Sequence, residues 1–272
     1  MQHVQDPQGS YTLVLCGACE LLFLSPLPTP QVFEAMYVGS KQFEGCDEYS
    51  GSRAETALEY YQHCVKNMLR KQRLDSSSLR TLEIGAGYAW VSKVVKALHQ
   101  SNVTVAQDVS SEAVNLCPWV DHYVVGAIKE VSDSLAGQAP YHIISLTHVI
   151  EHVPDPLTVL RHCGRWLDRN GLVFITAPHR PPGWDKTKPF AAWQQWALTH
   201  VPAHLQYFGK RSLDKAAALS GLKIAFFIAS HEEGAFEVWM GRREALRRNA
   251  GALSAFYERV RSLLSSRPRA LL

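Results

Sequence analysis

The chain has 272 residues, 46% of them hydrophobic and 19% charged, with a formal net charge of +3. That apolar share excludes an intrinsically disordered chain, and so small a net charge gives no electrostatic reason to invoke nucleic acid. Six cysteines are too few for a disulfide scaffold and fit a reducing compartment, so a cytoplasmic location is expected.

Residues 1–50 are punctuated by prolines (SPLPTP, 25–30) and hold two short apolar runs, expected as an irregular or hairpin segment. The stretch from Tyr11 to Leu24 is too short to span a bilayer and contains Glu20. No Lys or Arg precedes it, so neither a membrane span nor an export signal is expected. Residues 53–73 place Ala57, Tyr60, Tyr61, Cys64 and Met68 at helical spacing.

From residue 80 the pattern changes. Short apolar runs at 80–84, 103–107, 122–126, 142–147 and 171–177 alternate with helix-like segments near 89–99, 110–116, 128–136 and 155–168. Such alternation means βαβ units, and parallel strands covered on both faces read as continuous apolar runs. Right-handed crossovers then give a doubly wound sheet. Residues 222–229 and 235–240, separated by SHEEG, suit an antiparallel hairpin. A last helix is expected over about 242–264, with Leu246, Leu253, Phe256, Val260 and Leu263 on one face. The predicted architecture is α/β: a Rossmann-like doubly wound sheet, mostly parallel with a C-terminal antiparallel hairpin, flanked by helices. An N-terminal appendage (1–50), a main domain (51–240) and a basic C-terminal helix (241–272) make up the chain. That last part holds eight Arg and two Glu, net +6, leaving −3 for the rest. It could meet an anionic partner, a membrane surface or RNA, but a helix packed on its own domain with a solvated Arg face is the expected reading.

Three constellations carry chemistry. In Leu82-Glu83-Ile84-Gly85-Ala86-Gly87-Tyr88 the glycines close the first strand of the alternating region and open its helix, allowing a sharp turn and close ligand approach. A dinucleotide loop wants a further glycine three positions on, where Trp90 stands, and Glu83 suits an amine-bearing ligand better than a phosphate. Asp108 ends the next strand, where an acid can hold both ribose hydroxyls, or can cap the following helix. His148-Val-Ile-Glu151-His152-Val-Pro-Asp155-Pro156 follows the 142–147 strand, at the edge where open α/β sheets bind ligands. Asp155 and Pro156 read there as helix N-cap and first helical residue.

With LEIGAG (82–87), QDVSSEAV (107–114), YHIISLTHVIEHVPDP (141–156), GRWLDRNGLVFITAPH (164–179) and HLQYFGKRSLDKAAALSGLKI (204–224), the chain resembles class I S-adenosylmethionine-dependent methyltransferases of the type 11/23 group. The resemblance implies S-adenosyl-L-methionine as cofactor. Glu83, Gly85, Ala86 and Gly87 would line the methionine and sulfonium end, Asp108 the ribose, Ala127 and Ile128 the adenine, and Thr147 the floor below the methyl donor. Ala89 stands where many members have a third glycine. His152, His148 and Glu151 are the candidate catalytic residues, His being the usual base near neutral pH. His179 and His204 map near the same edge. The spacing His148-x-x-Glu151-His152 also resembles the metal-binding E-x-x-E-H of ubiquinone-type and small-RNA methyltransferases, but no metal is assigned. The aromatic-rich 178–208 stretch (Pro178, Pro181, Pro182, Trp184, Trp193, Trp196) is expected as acceptor pocket or lid, or as packing on the sheet edge. LCGACELLFLSPLPTPQVFEAMY (15–37) is similar to the second knuckle of a zinc ribbon. Cys16 and Cys19 supply two of four ligands, with His3 and Cys46 conceivable completions, so a degenerate ribbon without metal is expected. The leading function is methylation of a small-molecule acceptor, at oxygen, in biosynthetic metabolism. Homodimerisation is compatible with it and a nucleic-acid partner is not expected. The alternatives are an RNA or protein methyltransferase, a methyltransferase-like binding module without activity and, as an outsider, a dehydrogenase.

Overall fold

A computed structural model describes residues 2–6, 9–37, 51–181, 183–188, 200–230, 234–243 and 246. The helix expected over 242–264, together with Cys46, Pro182, Trp193 and Trp196, lies outside the described residues apart from its first positions.

The central sheet has seven strands in the order β10-β11-β8-β7-β4-β5-β6. They are β4 (Arg80–Ile84), β5 (Val103–Asp108), β6 (His122–Val125), β7 (Tyr141–Thr147), β8 (Leu167–Pro178), β10 (Leu222–Ser230) and β11 (Ala235–Arg242). β8, β7, β4, β5 and β6 run parallel, and β11 and β10 complete the sheet antiparallel. The expected terminal hairpin is therefore present and forms one sheet edge. Helices α2 (Gly51–Gln72) and α3 (Trp90–Leu98) cover one face with Val65, Met68, Val91, Val94 and Val95. On the other face, α5 (Pro156–Trp166) and α6 (Lys210–Leu219) bury Leu160, Cys163, Trp166 and Leu213, while α4 (Ile128–Ala136) contributes Leu135. The strands read as unbroken apolar runs because both faces are covered: Leu82, Val105, Ile143, Ile144, Leu146, Leu172, Val173 and Phe174 are all fully buried.

Local chemistry sets the boundaries. Asp155 caps α5, its carboxylate accepting from Thr158 N at 3.0 Å, with Pro156 at the first helical position. Such a cap contributes about 1 kcal/mol. The helix expected over 110–116 is absent, and only a 3₁₀ turn at Val114–Leu116 forms. Pro118 disfavours helical backbone at Cys117, and Asp108 and Ser110 turn their side chains onto the amides of Ser110 and Glu112, so too few residues remain for a helix. The N-terminal segment is more regular than expected. β1 (Gln2–Asp6), β2 (Gly9–Leu15) and β3 (Leu22–Ser25) form an antiparallel meander followed by α1 (Pro30–Tyr37). β3 pairs with β9 (Gln206–Tyr207), so a piece of chain between β8 and α6 completes this second sheet. Tyr11, Leu13, Leu22, Leu24, Leu205 and Tyr207 form its own small core.

Candidate functional site

Parallel strands deliver every sequence-predicted site residue to one edge of the sheet, the carboxyl ends of β4, β5, β6 and β7. The β4–α3 loop takes left-handed backbone at Gly85 (φ 59°), Gly87 (φ 46°) and Ala89 (φ 52°). At Gly85 the requirement is double, because a Cβ there would also overlap the side chain of Val149 in the loop after β7. Ala89 is buried and left-handed without being glycine, a strain on the order of 1 kcal/mol. Hydrogen bonds lock the loop. Gly87 N donates to Asp108 Oδ2 at 2.9 Å, Ala86 N to Gln107 O at 2.9 Å, and Tyr123 OH to Gly87 O at 3.1 Å.

Glu83 is 1% exposed. Its carboxylate accepts from Val91 N (3.2 Å), Ser92 N (2.9 Å) and Ser92 Oγ (3.0 Å), so it caps α3 from inside. Burial pushes its pKa up to about 7 against the pull of those three donors. Glu83 thus reaches the ligand side by setting the α3 terminus. Asp108 is partly exposed, and besides Gly87 N its carboxylate accepts from Ser110 N at 3.0 Å. The helix-cap reading of this residue is realised only as that local turn. Ala127 and Ile128 start α4, with Glu130 accepting from Ala127 N at 3.4 Å. Thr147 ends β7 in register with Thr176 of β8.

The second half of the site is the loop after β7. Glu151 is fully buried, and histidines are the groups that face its carboxylate. His148 Nδ1 lies 3.5 Å and His152 Nε2 3.8 Å from its Oε1. His204 packs against His152 at 4.8 Å between ring centroids and against His200 at 5.1 Å. Burial would raise the Glu151 pKa, but His148, His152 and His204 together hold it below the ordinary carboxylate value. His152 Nδ1 lies 2.9 Å from Ala203 O and so donates there. Its Nε2 therefore faces the carboxylate. One ligand atom from each of Glu151, His152 and His204 falls within 4.8 Å of the others, the donor set of a divalent-ion site. Tyr207, whose hydroxyl is buried without a partner, has its pKa raised by burial and by Glu151.

The segment 203–206 is stitched to this loop. Leu205 N donates to Glu151 O (2.8 Å), Gln206 Nε2 to Val153 O (2.6 Å) and Leu24 N to Leu205 O (2.9 Å). The N-terminal meander therefore braces the His204 segment. His179 stands apart: its Nδ1 lies 2.6 Å from Arg180 O, and it bridges to Phe208.

Two features escaped sequence reasoning. Gln107 accepts from Gly85 N (3.3 Å) and donates to Gly126 O (2.7 Å), tying the ends of β4, β5 and β6 together. Glu237 of β11, in register with Thr176, accepts from Tyr60 OH and from Trp239 Nε1, both at 2.7 Å. A polar side chain inside an otherwise apolar strand was the available signal for both.

A glycine-turned loop, an acid ending the strand on one side of it and an acid–histidine loop after the strand on the other side together form the kind of edge at which open α/β sheets bind ligands. The chain belongs to the methyltransferase-domain family, whose model matches residues 54–225. Among curated proteins it is 29% identical over 118 residues to a ubiquinone biosynthesis O-methyltransferase of Xanthomonas oryzae pv. oryzae, covering 40% of this chain and 47% of that protein. The same-named protein of Xylella fastidiosa matches at 29% over 118 residues, 40% of this chain and 46% of that one. The chain thus spans about half the length of the curated relatives it matches. An S-adenosylmethionine-dependent methyltransferase structure from Clostridium acetobutylicum superposes with a TM-score of 0.52 at 7% identity, covering 75% of this chain and 98% of that one, which shows the shared fold.

Proposed function

We propose that this protein transfers the methyl group of S-adenosyl-L-methionine to a hydroxyl of a small molecule in biosynthetic metabolism. The observation that carries this reading is the buried Glu151 facing His148 and His152, one loop away from the Gly85–Asp108 corner. Gly85, Ala86 and Gly87 pass close to the methionine end with Glu83 behind them. Asp108 takes the ribose hydroxyls, Ala127 and Ile128 flank the adenine, and Thr147 lies below the methyl group. When bound, S-adenosyl-L-methionine would supply an electrophilic methyl group, and these residues would hold it so that an acceptor hydroxyl could approach the methyl carbon in line. Holding the two partners in that line is the protein's main contribution, worth several kcal/mol. The acceptor's proton passes to a histidine. His148 is the more accessible, its side chain 37% exposed against 23% for His152, and Glu151 stabilises whichever imidazolium forms.

The grouping of one ligand atom each from Glu151, His152 and His204 favours a second reading of the same cluster. Glu151, His152 and His204 would hold a divalent cation, which would lower the pKa of a bound acceptor hydroxyl. Activity abolished by EDTA and restored by a divalent ion supports that version, and full activity in EDTA removes it.

The acceptor class agrees with that of the curated relatives, which are named ubiquinone biosynthesis O-methyltransferases. A cytoplasmic location is part of the proposal, and no helix among the described residues is long and apolar enough to cross a membrane. So is the division into appendage (1–50), methyltransferase domain (51–240) and basic C-terminal helix (241–272). Labelled S-adenosylmethionine supplied with a panel of phenols, catechols, carboxylic acids, RNA and protein tests the reading. Label transferred to oxygen of a small molecule supports it, whereas label appearing only in RNA or protein overturns the acceptor assignment.

A further inference from the structure

A cavity of about 790 Å³ lies at the end of the sheet opposite the Gly85 and Glu151 loops. Arg161, Gly164 and Arg165 of α5, Ser220 after α6, and Arg242 and Arg243 at the end of β11 line it. α5 starts just after the Glu151 loop and runs for 11 residues, about 16 Å, so the cavity is separate from the candidate site. Arginines near helix C-termini ordinarily serve bare carbonyls. Here those carbonyls are already served. Arg242 Nη2 donates to Gly164 O (3.1 Å), Arg165 O (3.3 Å) and Leu167 O (2.8 Å). At the end of α6, Ala216 O and Ala217 O accept from Ser220 N at 3.1 Å, and Ala218 O accepts from Gly221 N at 3.4 Å. Arg161, Arg165 and Arg243 are exposed and donate to no carbonyl among the described residues. Arg165 donates to His162 Nδ1 at 2.9 Å, which leaves its charge uncompensated. No carboxylate of the described residues forms an ion pair with any of the four arginines. Asp155, at the start of α5, senses Arg161 without pairing with it. Asp214, in the adjoining cleft beside Arg243, pairs instead with Lys210 at 2.7 Å. The chain from residue 241 onward adds charge of the same sign, with eight Arg against two Glu.

We propose that this cavity binds a phosphate-bearing small molecule through Arg161, Arg165, Arg242 and Arg243. Arg161 and Arg165 stand one turn apart on the same face of α5, where like charges repel and an anion between them relieves the repulsion. Arg242 is held beside them by its three carbonyl bonds, so its ordering cost is met before a ligand arrives. Guanidinium groups match phosphate oxygens in paired, charge-assisted hydrogen bonds. The volume is that of a small-ligand site. A Cβ at Gly164 would come within 2.7 Å of Ser220 O, so glycine is what lets the ends of α5 and α6 meet at the cavity. No aromatic side chain lines it, so nothing there stacks a base, and the recognised group is the phosphate rather than a strand of nucleic acid. The site depends neither on the methyl acceptor nor on the Glu151 cluster.

The test titrates the full chain with inorganic pyrophosphate by calorimetry at low ionic strength. One pyrophosphate per chain is expected, with affinity that falls as salt is added. Arg161→Gln combined with Arg165→Gln should weaken binding about tenfold or more, the scale of one lost charge-assisted hydrogen bond. Arg243→Gln alone should weaken it in the same direction. Both substitutions fall on exposed side chains, and thermal unfolding confirms that the variants are folded. Arg242 is left intact because it caps α5. Arg70→Gln removes the same charge from the exposed side of α2, on the other face of the sheet, and should leave affinity within about twofold. No binding of pyrophosphate, or an equal loss in Arg70→Gln, would overturn the proposal. So would binding to an RNA oligonucleotide or to anionic phospholipid vesicles that needs Arg161 and Arg165 while pyrophosphate does not bind.

Discussion

Gly85→Ala tests how the cofactor loop is built. The residue must hold φ 59°, which costs an L-residue about 1–2 kcal/mol. Its new Cβ would also overlap Val149, adding an overpacking cost of about 1–3 kcal/mol. The expected destabilisation is therefore about 2–5 kcal/mol, read from urea unfolding of the purified variant. Val149 is only partly buried, so Val149→Ala alone should cost about 1 kcal/mol. The double variant should recover the overlap and keep the backbone strain, giving a coupling of at least about 1 kcal/mol. Because Val149 lies two residues from Glu151, Gly85→Ala should lower turnover as well as S-adenosylhomocysteine affinity. A destabilisation below about 0.5 kcal/mol, or strict additivity in the double variant, would refute this account of the loop.

Further predictions concern single side chains. Asp108→Ala should weaken S-adenosylmethionine binding by roughly 1–3 kcal/mol, since the ribose and the amides of Gly87 and Ser110 lose one acceptor; unchanged affinity in calorimetry would remove Asp108 from the ribose. His148→Ala should lower kcat while leaving cofactor affinity within about twofold, and an equal fall in both would make His148 a cofactor-binding group instead. Glu83 has a folded-state pKa of about 7 against an ordinary value of 4.5. The folded state thus binds the proton more tightly, and stability should fall by on the order of 3 kcal/mol as pH rises from 4.5 to 7. Glu83→Gln should flatten that part of the curve; an unchanged pH profile in thermal unfolding would contradict the assignment.

Legibility in the sequence followed the physics of each element. β4 and α4 lie where apolar periodicity placed them, because burial on both faces of a parallel sheet leaves a strong one-dimensional pattern. The cap at Asp155 was readable because its chemistry is local. The 110–116 segment misled because helix-cap residues there serve a turn that Pro118 prevents from extending. The β3–β9 pairing joins residues 22–23 to 206–207, and no local signal announces a contact across that separation. The candidate site divided in the same way. Glu83, Asp108 and the 148–152 loop were visible as polar residues at strand ends. The positions of His152 and His204 around Glu151 required that long-range docking of segment 203–206. Gln107 and Glu237 went unnoticed because each reads as one polar interruption of a strand, yet each gathers hydrogen bonds from distant elements.

Calorimetric titration of the purified chain with S-adenosylmethionine, S-adenosylhomocysteine and NAD tests the central claim most directly. The account predicts micromolar binding of the first two, weakened by Asp108→Ala, and no binding of NAD. Binding of NAD, or of none of the three, would contradict it.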